Sequence, residues 1–80
     1  MSEIQYTTTA LKQMRKLAPE IRERLRSKIS EYAETGKGDV KAMQGEPVFR
    51  LRVGDYRVVF SDSPAGISIL RAGHRRDIYR

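Results

Sequence analysis

Three arginines alternate with apolar residues in one short segment, and this arrangement could bind a phosphate group. Arg50 and Arg52 precede a Gly54-Asp55 pair, and Arg57 follows it. A Gly-Asp pair favours a two-residue hairpin turn with glycine at the position that needs a positive φ, which sets Arg52 directly opposite Arg57. Because side chains alternate between the two faces of a strand, all three arginines share one face. Planar guanidinium groups in such a cluster are suited to phosphate oxygens.

The other face of this hairpin is apolar. Like charges directly opposite each other on a sheet destabilise it by about 0.2 to 1 kcal/mol. Folding alone therefore gives little reason to place Arg52 across from Arg57, and we interpret the pair as evidence for a bound anion. The residues predicted on the apolar face are Phe49, Leu51, Val53, Tyr56, Val58 and Phe60.

The charge balance points to the same half of the chain. The 80 residues carry 16 Lys and Arg against 10 Asp and Glu, a net charge of +6 that favours phosphate-bearing or acidic partners. Residues 41–80 hold eight basic side chains, seven of them Arg, and only four acidic ones. Since arginine is the better bidentate donor to phosphate, we expect the partner-binding surface in the C-terminal half.

Several classes of protein are excluded by composition. There is no cysteine, so neither a disulfide framework nor a thiolate site is possible. With no signal peptide and no run of 18 apolar residues, we expect a soluble cytoplasmic protein that does not bind membranes. Asp55, Asp62 and Asp77 lie at predicted turns or in the tail among cations, which does not resemble a two-metal nuclease site. We therefore predict no metal and no cofactor.

The N-terminal half has the pattern of a short strand followed by two helices. Alternation predicts the strand over residues 4–8, and Thr8 or Thr9 can cap the first helix. Pro19 ends that helix near Ala18 and begins the second, which Gly36 ends. The apolar stripes consist of Ala10, Leu11, Met14, Leu17 and Ala18 in the first helix, and Ile21, Leu25, Ile29, Tyr32 and Ala33 in the second.

The C-terminal half predicts three more strands. Residues 37–47 contain too few apolar side chains for a core element and are expected to form a connector with at most one helical turn. After the hairpin, residues 61–66 form a polar turn, and residues 67–72 form the last strand, ended by Gly73. The prediction is a single α+β domain over residues 1–80, in the order β-α-α-β-β-β. Its two N-terminal helices pack on one face of a mostly antiparallel twisted sheet, and the arginine face stays open.

Two segments resemble the RelE/ParE superfamily of bacterial toxins. They are residues 51–60, which contain Gly-Asp-Tyr-Arg, and residues 69–79, which contain Gly-His-Arg-Arg-Asp-Ile-Tyr. RelE-like members are ribosome-dependent messenger-RNA endonucleases that a partner antitoxin neutralises, whereas ParE-like members poison DNA gyrase and lack the nuclease residues. The C-terminal tail, residues 73–79, favours the RelE-like class. The resemblance covers nearly the whole chain.

The resemblance implies a set of site residues. RelE-like enzymes have two basic residues on the strand before the turn, an arginine after the tyrosine that follows the turn, an arginine after the glycine of the last strand, and a tyrosine near the C-terminus. The matching positions here are Arg50, Arg52, Arg57, Arg75 and Tyr79. All five would be catalytic, and the four arginines would bind RNA phosphate.

One departure from the pattern changes the expected chemistry. The two basic residues before the turn are lysines in the best-known RelE enzymes but are Arg50 and Arg52 here. Arginine stays protonated, with a pKa above about 12, so it can stabilise charge but cannot act as a base. The remaining candidates for proton transfer are His74, since histidine has an unperturbed pKa near 6.5, and Tyr79, whose phenol neighbouring arginines would have to acidify.

The resemblance also implies the partners. A RelE-like toxin cleaves translated messenger RNA by attack of the 2′-hydroxyl without a metal, contacts ribosomal RNA, and binds a cognate antitoxin, with which it binds operator DNA. Two other functions remain open on the residues alone. One is a ParE-like gyrase inhibitor, and the other is a catalytically inactive basic binding module.

Overall fold

The protein forms a five-stranded sheet with helices packed on one face. The computed structural model describes residues 3–43, 45 and 47–78. The strand order is β1-β5-β4-β3-β2, in which β1 runs parallel to β5 and the other neighbours are antiparallel. This α+β architecture is the predicted fold class. The elements are β1 (Ile4–Tyr6), α1 (Thr8–Arg15), α2 (Pro19–Thr35), β2 (Asp39–Ala42), β3 (Phe49–Val53), β4 (Tyr56–Ser63), β5 (Gly66–His74) and α3 (Arg75–Ile78).

Local sequence signals set the ends of the two long helices. Thr7, rather than the predicted Thr8 or Thr9, caps α1, since its hydroxyl accepts a hydrogen bond from the Ala10 N–H. Helix α1 ends at Arg15, three residues before the predicted end. Pro19 begins α2 as predicted, and Gly36 ends it in the left-handed conformation at φ 74°.

The core lies between the helices and the apolar face of the sheet. Met14 of α1 and Leu25 of α2 are buried against strand residues such as Leu51 and Phe60. The rings of Tyr32 and Phe60 are 5.1 Å apart and tilted, which joins α2 to β4. In the described part of the chain, the opposite face of the sheet has an open cleft lined by β2, β3 and β4, with no helix residue among its lining.

The predicted hairpin is confirmed residue by residue. Val53 pairs with Tyr56, Arg52 with Arg57, and Phe49 with Phe60. Gly54 has φ 60°, and within the described residues no other residue type has a positive φ, so the turn is of the primed type with glycine first. The turn therefore fixes the register that brings the arginines together.

Three predictions about the rest of the C-terminal half were wrong. The supposed connector contains a strand, because residues 39–42 pair with β3. The supposed polar turn at residues 61–66 is mostly strand, since β4 continues to Ser63 and β5 begins at Gly66. Gly73 does not end the last strand, which reaches His74 and continues into the short helix α3.

Strand β5 extends beyond the residues that pair with its neighbour β1. Past that point, side chains form hydrogen bonds with main-chain groups of β5 in place of a neighbouring strand. The Thr7 hydroxyl donates to the Leu70 carbonyl at 3.1 Å, and the Ala72 N–H donates to Oε1 of Gln13 at 2.8 Å. These bonds fasten the start of α1 to the sheet. None of the helices in the described part of the chain is long and apolar enough to cross a membrane.

Candidate functional site

A small cleft on the helix-free face of the sheet gathers most of the predicted arginines. Its volume is about 120 Å³. Its lining residues come from the three consecutive strands β2, β3 and β4, and four of the five are basic. They are Asp39, Lys41, Arg50, Arg52 and Arg57. The structure thus brings Arg50, Arg52 and Arg57 together as predicted.

One row of paired residues crosses the cleft nearest the hairpin turn. Asp39 pairs with Arg52, which pairs with Arg57, which pairs with Gly73. A carboxylate oxygen of Asp39 lies 3.3 Å from Nε of Arg52. The protein's own carboxylate therefore offsets part of the repulsion between the two arginines. The sequence interpretation, which explained the arginine pair by a bound anion, did not include this carboxylate.

Arg57 is held by the turn beside it. One guanidinium nitrogen, Nη1, donates to the carbonyl of Gly54 at 2.8 Å and to the carbonyl of Tyr56 at 2.9 Å. Arg57 also lines the cleft, and its guanidinium has further N–H groups that these two bonds do not use. The hairpin turn therefore orients this arginine as well as setting its register.

A second row lies farther from the turn. Lys41 pairs with Arg50, Arg50 with Val59, and Val59 with Arg71. Val59 is only 1% exposed although it lies outside the helix-side core. Long basic side chains flank it on both sides, and their aliphatic stems can cover apolar surface in this way. One buried apolar residue, Val59, therefore lies between the basic side chains on this face of the sheet.

Sequence analysis missed Asp39 and Lys41 because it missed the strand that carries them. The signal was present, since residues 39–42 alternate charged and apolar side chains. Val40 packs against the core, while Asp39 and Lys41 line the cleft. The cleft therefore contains a carboxylate and an amine in addition to the predicted arginines.

His74 lies on the other side of the sheet from the arginine cluster. It pairs with Tyr56, whose side chain packs on the helix-side core, and the two rings are 5.4 Å apart in an edge-to-face contact. Its Nδ1 accepts a hydrogen bond from the Arg76 N–H at 3.2 Å. In this position His74 fixes the start of α3 but does not face Arg52 or Arg57.

The tail is anchored to the hairpin turn. The Arg75 N–H donates to the Asp55 carbonyl at 2.8 Å, so Arg75 lies at the same end of the sheet as the turn. Ile78 is buried and packs over Gly73, the residue paired with Arg57. Tyr79, the fifth family position, lies outside the described residues.

Two tyrosines have a raised pKa, and both lie away from the cleft. Burial raises the pKa of Tyr6, partly opposed by the nearby charge of Arg26. Burial also raises the pKa of Tyr32, and the carboxylate of Asp62, which accepts a hydrogen bond from the Tyr32 hydroxyl at 3.3 Å, raises it further.

Among residues 3–43, 45 and 47–78, no cluster of three His, Asp or Glu side chains could hold a metal ion.

Comparison with known families decides the relationship. Residues 4–79 match the model of the ParE toxin of the type II toxin–antitoxin system. The chain belongs to this toxin family. The match spans all three described helices and the whole sheet, which agrees with the superfamily resemblance of the two C-terminal segments.

Solved structures give the toxin a RelE-like fold. The RelE–RelB complex of Methanococcus jannaschii matches at 28% identity and a TM-score of 0.78, covering 94% of each chain. Isolated RelE of E. coli matches at 22% identity and a TM-score of 0.78, covering 99% of this chain and 92% of that one. The RelE–RelB complex of Pyrococcus horikoshii matches at 22% identity and a TM-score of 0.77, covering 95% and 97%. No curated protein sequence matches significantly.

Proposed function

We propose that this toxin is a ribosome-dependent endoribonuclease that cleaves translated messenger RNA without a metal ion. The observation that carries the proposal is the convergence of Lys41, Arg50, Arg52 and Arg57 on one open cleft. A cluster of cations on a helix-free sheet face is suited to an extended phosphodiester strand. The hydrogen bonds that orient Arg57 also suit a site that must stabilise charge without reorganising.

The chemistry is attack of a 2′-hydroxyl on the adjacent phosphorus. The new bond joins the 2′-oxygen to phosphorus and the bond to the 5′-oxygen breaks, so the products are a 2′,3′-cyclic phosphate and a free 5′-hydroxyl. In this proposal Arg50, Arg52 and Arg57 hold the non-bridging oxygens and stabilise the negative charge that develops on them.

The tail supplies the remaining proposed roles. Arg75, whose main chain is anchored at the hairpin turn, is the proposed additional cation at the end of the cleft nearest Arg52 and Arg57, although it is not among the residues that line the cleft. Tyr79 is the proposed acceptor of the 2′-hydroxyl proton, a role that rests on its match to the family position near the C-terminus. We assign His74, on the opposite face, to positioning of the tail through its bond to the Arg76 N–H rather than to proton transfer.

The proposed partners follow from the relatives. The archaeal RelE chains are bound to RelB antitoxins in their solved complexes. We propose that a cognate antitoxin likewise binds this toxin, that the pair binds operator DNA, and that the toxin acts on messenger RNA and ribosomal RNA in the ribosome. The excess of basic residues in this chain supports nucleic-acid contacts of this kind.

Mapping of RNA ends after brief expression would test the proposal. We expect new 5′ ends inside translated reading frames, and their loss with Arg57→Ala or Tyr79→Phe. Arg24→Ala, on the exposed surface of α2, is the matched control and should cleave like the parent. Growth arrest that survives unchanged in the Arg57→Ala and Tyr79→Phe variants would overturn this assignment of the site.

A second candidate is a ParE-like inhibitor of DNA gyrase, because the matching family model is that of ParE toxins. In that case the cationic cleft would be part of a protein interface. Expression would then induce the DNA damage response and leave messenger RNA intact. A chain that neither arrests growth nor cleaves RNA would instead be an inactive basic binding module.

A further inference from the structure

Arg71 is a further cation on the helix-free face of the sheet, outside the cleft itself. It is the only Lys or Arg of β5, its side chain is exposed, and it is not among the residues that line the cleft. Its neighbour Ala72 packs in the helix-side core, so Arg71 lies on the opposite face. Arg71 pairs with Val59, whose other partner is Arg50 of the cleft. The basic residues of this face therefore extend one strand beyond β4.

The guanidinium of Arg71 makes no hydrogen bond or ion pair within the described part of the chain. The other arginines of this face are held differently, since Arg52 lies beside the Asp39 carboxylate and Arg57 donates to two carbonyls. The aliphatic stem of Arg71 can help to cover Val59, which is 1% exposed, but that packing uses none of the five guanidinium N–H donors. These donors are therefore available to an anion.

The position of Arg71 suits a phosphate other than the one that reacts. Neighbouring strands lie about 4.8 Å apart, so β5 is about 10 Å from β3 with β4 between them. An RNA strand that fills the cleft carries a charge at every nucleotide and brings further phosphates past the edge of the cleft. We propose that Arg71 binds a messenger-RNA phosphate within two nucleotides of the cleaved bond, an inference that rests on the proposed endoribonuclease function.

The rows of paired residues indicate where the RNA strand crosses β4. The row nearest the hairpin turn reaches β5 at Gly73, which has no side chain to offer. The second row crosses Val59 and reaches β5 at Arg71. The next row is uncharged on β4, β5 and β1, where it consists of Ser61, Ser68 and Gln5. Of these three rows, only the one over Val59 ends at a cation on β5.

Neutralising single phosphates tests the contact from the RNA side. Each messenger of a set, bound in ribosomes, carries one uncharged methylphosphonate linkage at one of the two phosphates on either side of the cleaved bond. Single-turnover cleavage at subsaturating toxin is compared for the parent and for Arg71→Met, which keeps an apolar side chain over Val59 but lacks the charge. Urea unfolding checks that both proteins are folded. If Arg71 binds one of these phosphates, removing both charges should slow cleavage no more than removing either one.

On the ordinary messenger, we expect Arg71→Met to cleave about 3- to 10-fold more slowly than the parent, the scale of an exposed charged contact. One methylphosphonate should slow the parent by a similar factor but change Arg71→Met by less than about 2-fold. The other methylphosphonates should slow both proteins equally. Arg71→Lys should recover most of the parental rate, because lysine also binds phosphate. Arg24→Met, on the exposed surface of α2, is the matched control and should follow the parent on every messenger.

Two results would overturn the inference while leaving the proposed function intact. One is parental cleavage of the ordinary messenger by folded Arg71→Met. The other is a loss of the same size on every messenger, which would mean that Arg71 acts through net charge or packing and binds none of these phosphates. Failure of the parent to cleave the ordinary messenger would instead overturn the proposed function and this inference together.

Discussion

Asp39 holds Arg52 at 3.3 Å on the side of that arginine facing away from Arg57. The carboxylate and the guanidinium are both more than half exposed, so the pair contributes at most about 1 kcal/mol to folding. The Asp39 carboxylate has a more direct effect on the binding of anions than on folding. The carboxylate lines the cleft and repels any phosphate that enters, so Asp39 competes with an incoming anion for Arg52.

Removal of this charge is expected to strengthen RNA binding. Asp39→Asn should lower the dissociation constant for a short RNA about 2- to 5-fold, the scale of an exposed ion pair. Fluorescence anisotropy at several salt concentrations would measure it, and the gain should shrink as salt rises. Glu34→Gln, an exposed change on α2, is the matched control, and an equal gain there would attribute the effect to net charge alone.

The Gly54 turn is expected to tolerate no side chain. At φ 60° in a primed turn, Gly54→Ala should destabilise the protein by about 1 to 3 kcal/mol. Because the Gly54 carbonyl orients Arg57, cleavage should also fall in the fraction of molecules that remain folded. Urea unfolding and RNA cleavage measured on the same samples would check both effects. Asp55→Asn should leave stability unchanged, since the Arg75 bond uses only the main-chain oxygen of residue 55.

Gln13 is expected to contribute to stability through a single hydrogen bond. Gln13→Leu should leave the Ala72 N–H without an acceptor and cost about 1 to 3 kcal/mol in the free energy of unfolding. Gln13→Glu keeps an acceptor oxygen and should cost clearly less. Gln5→Ala, at an exposed position of β1, controls for loss of an amide side chain. Equal stabilities for the Leu and Glu variants would show that the bond contributes nothing.

Stability is expected to decline in alkaline solution because of Tyr6 and Tyr32. Both have a pKa above the ordinary value of 10.0 in the folded protein, first because of burial. The unfolded chain therefore loses these protons at lower pH than the folded chain. The stabilisation is complete below about pH 10 and is lost as pH rises through the folded-state values. Urea unfolding from pH 8 to 11 should show this decline, and Tyr6→Phe with Tyr32→Phe should make it shallower.

The hairpin could be predicted from sequence because its information is local. The Gly54-Asp55 turn and the alternation on either side determine register and face without reference to the rest of the chain, and the pairing of Arg52 with Arg57 follows. The bounds of α2 were predictable for the same reason, since Pro19 begins it and Gly36 ends it. Helix α1 was predicted, but its N-cap and its end at Arg15 were not.

Strand β2 and the position of His74 depend on contacts that sequence patterns do not reveal. Val40 is the only strongly apolar residue in the middle of β2, and the strand exists because it pairs with β3 about ten residues later. His74 was predicted to transfer protons because histidine can act as a base and arginine cannot, and this chemistry does not indicate the face of the sheet on which His74 lies. Its face is set by its pairing with Tyr56, after a bulge in the β4–β5 ladder between Val59 and Phe60.

The bonds from Thr7 and Gln13 to β5 also limit how this sheet can grow. Along residues 70–72 the Leu70 carbonyl and the Ala72 N–H already have side-chain partners, so an added strand would have to displace them. Unpaired strand edges are where proteins aggregate by strand addition. On this stretch of β5, two side chains of the α1 region therefore occupy the main-chain groups that an added strand would need, which disfavours strand addition there.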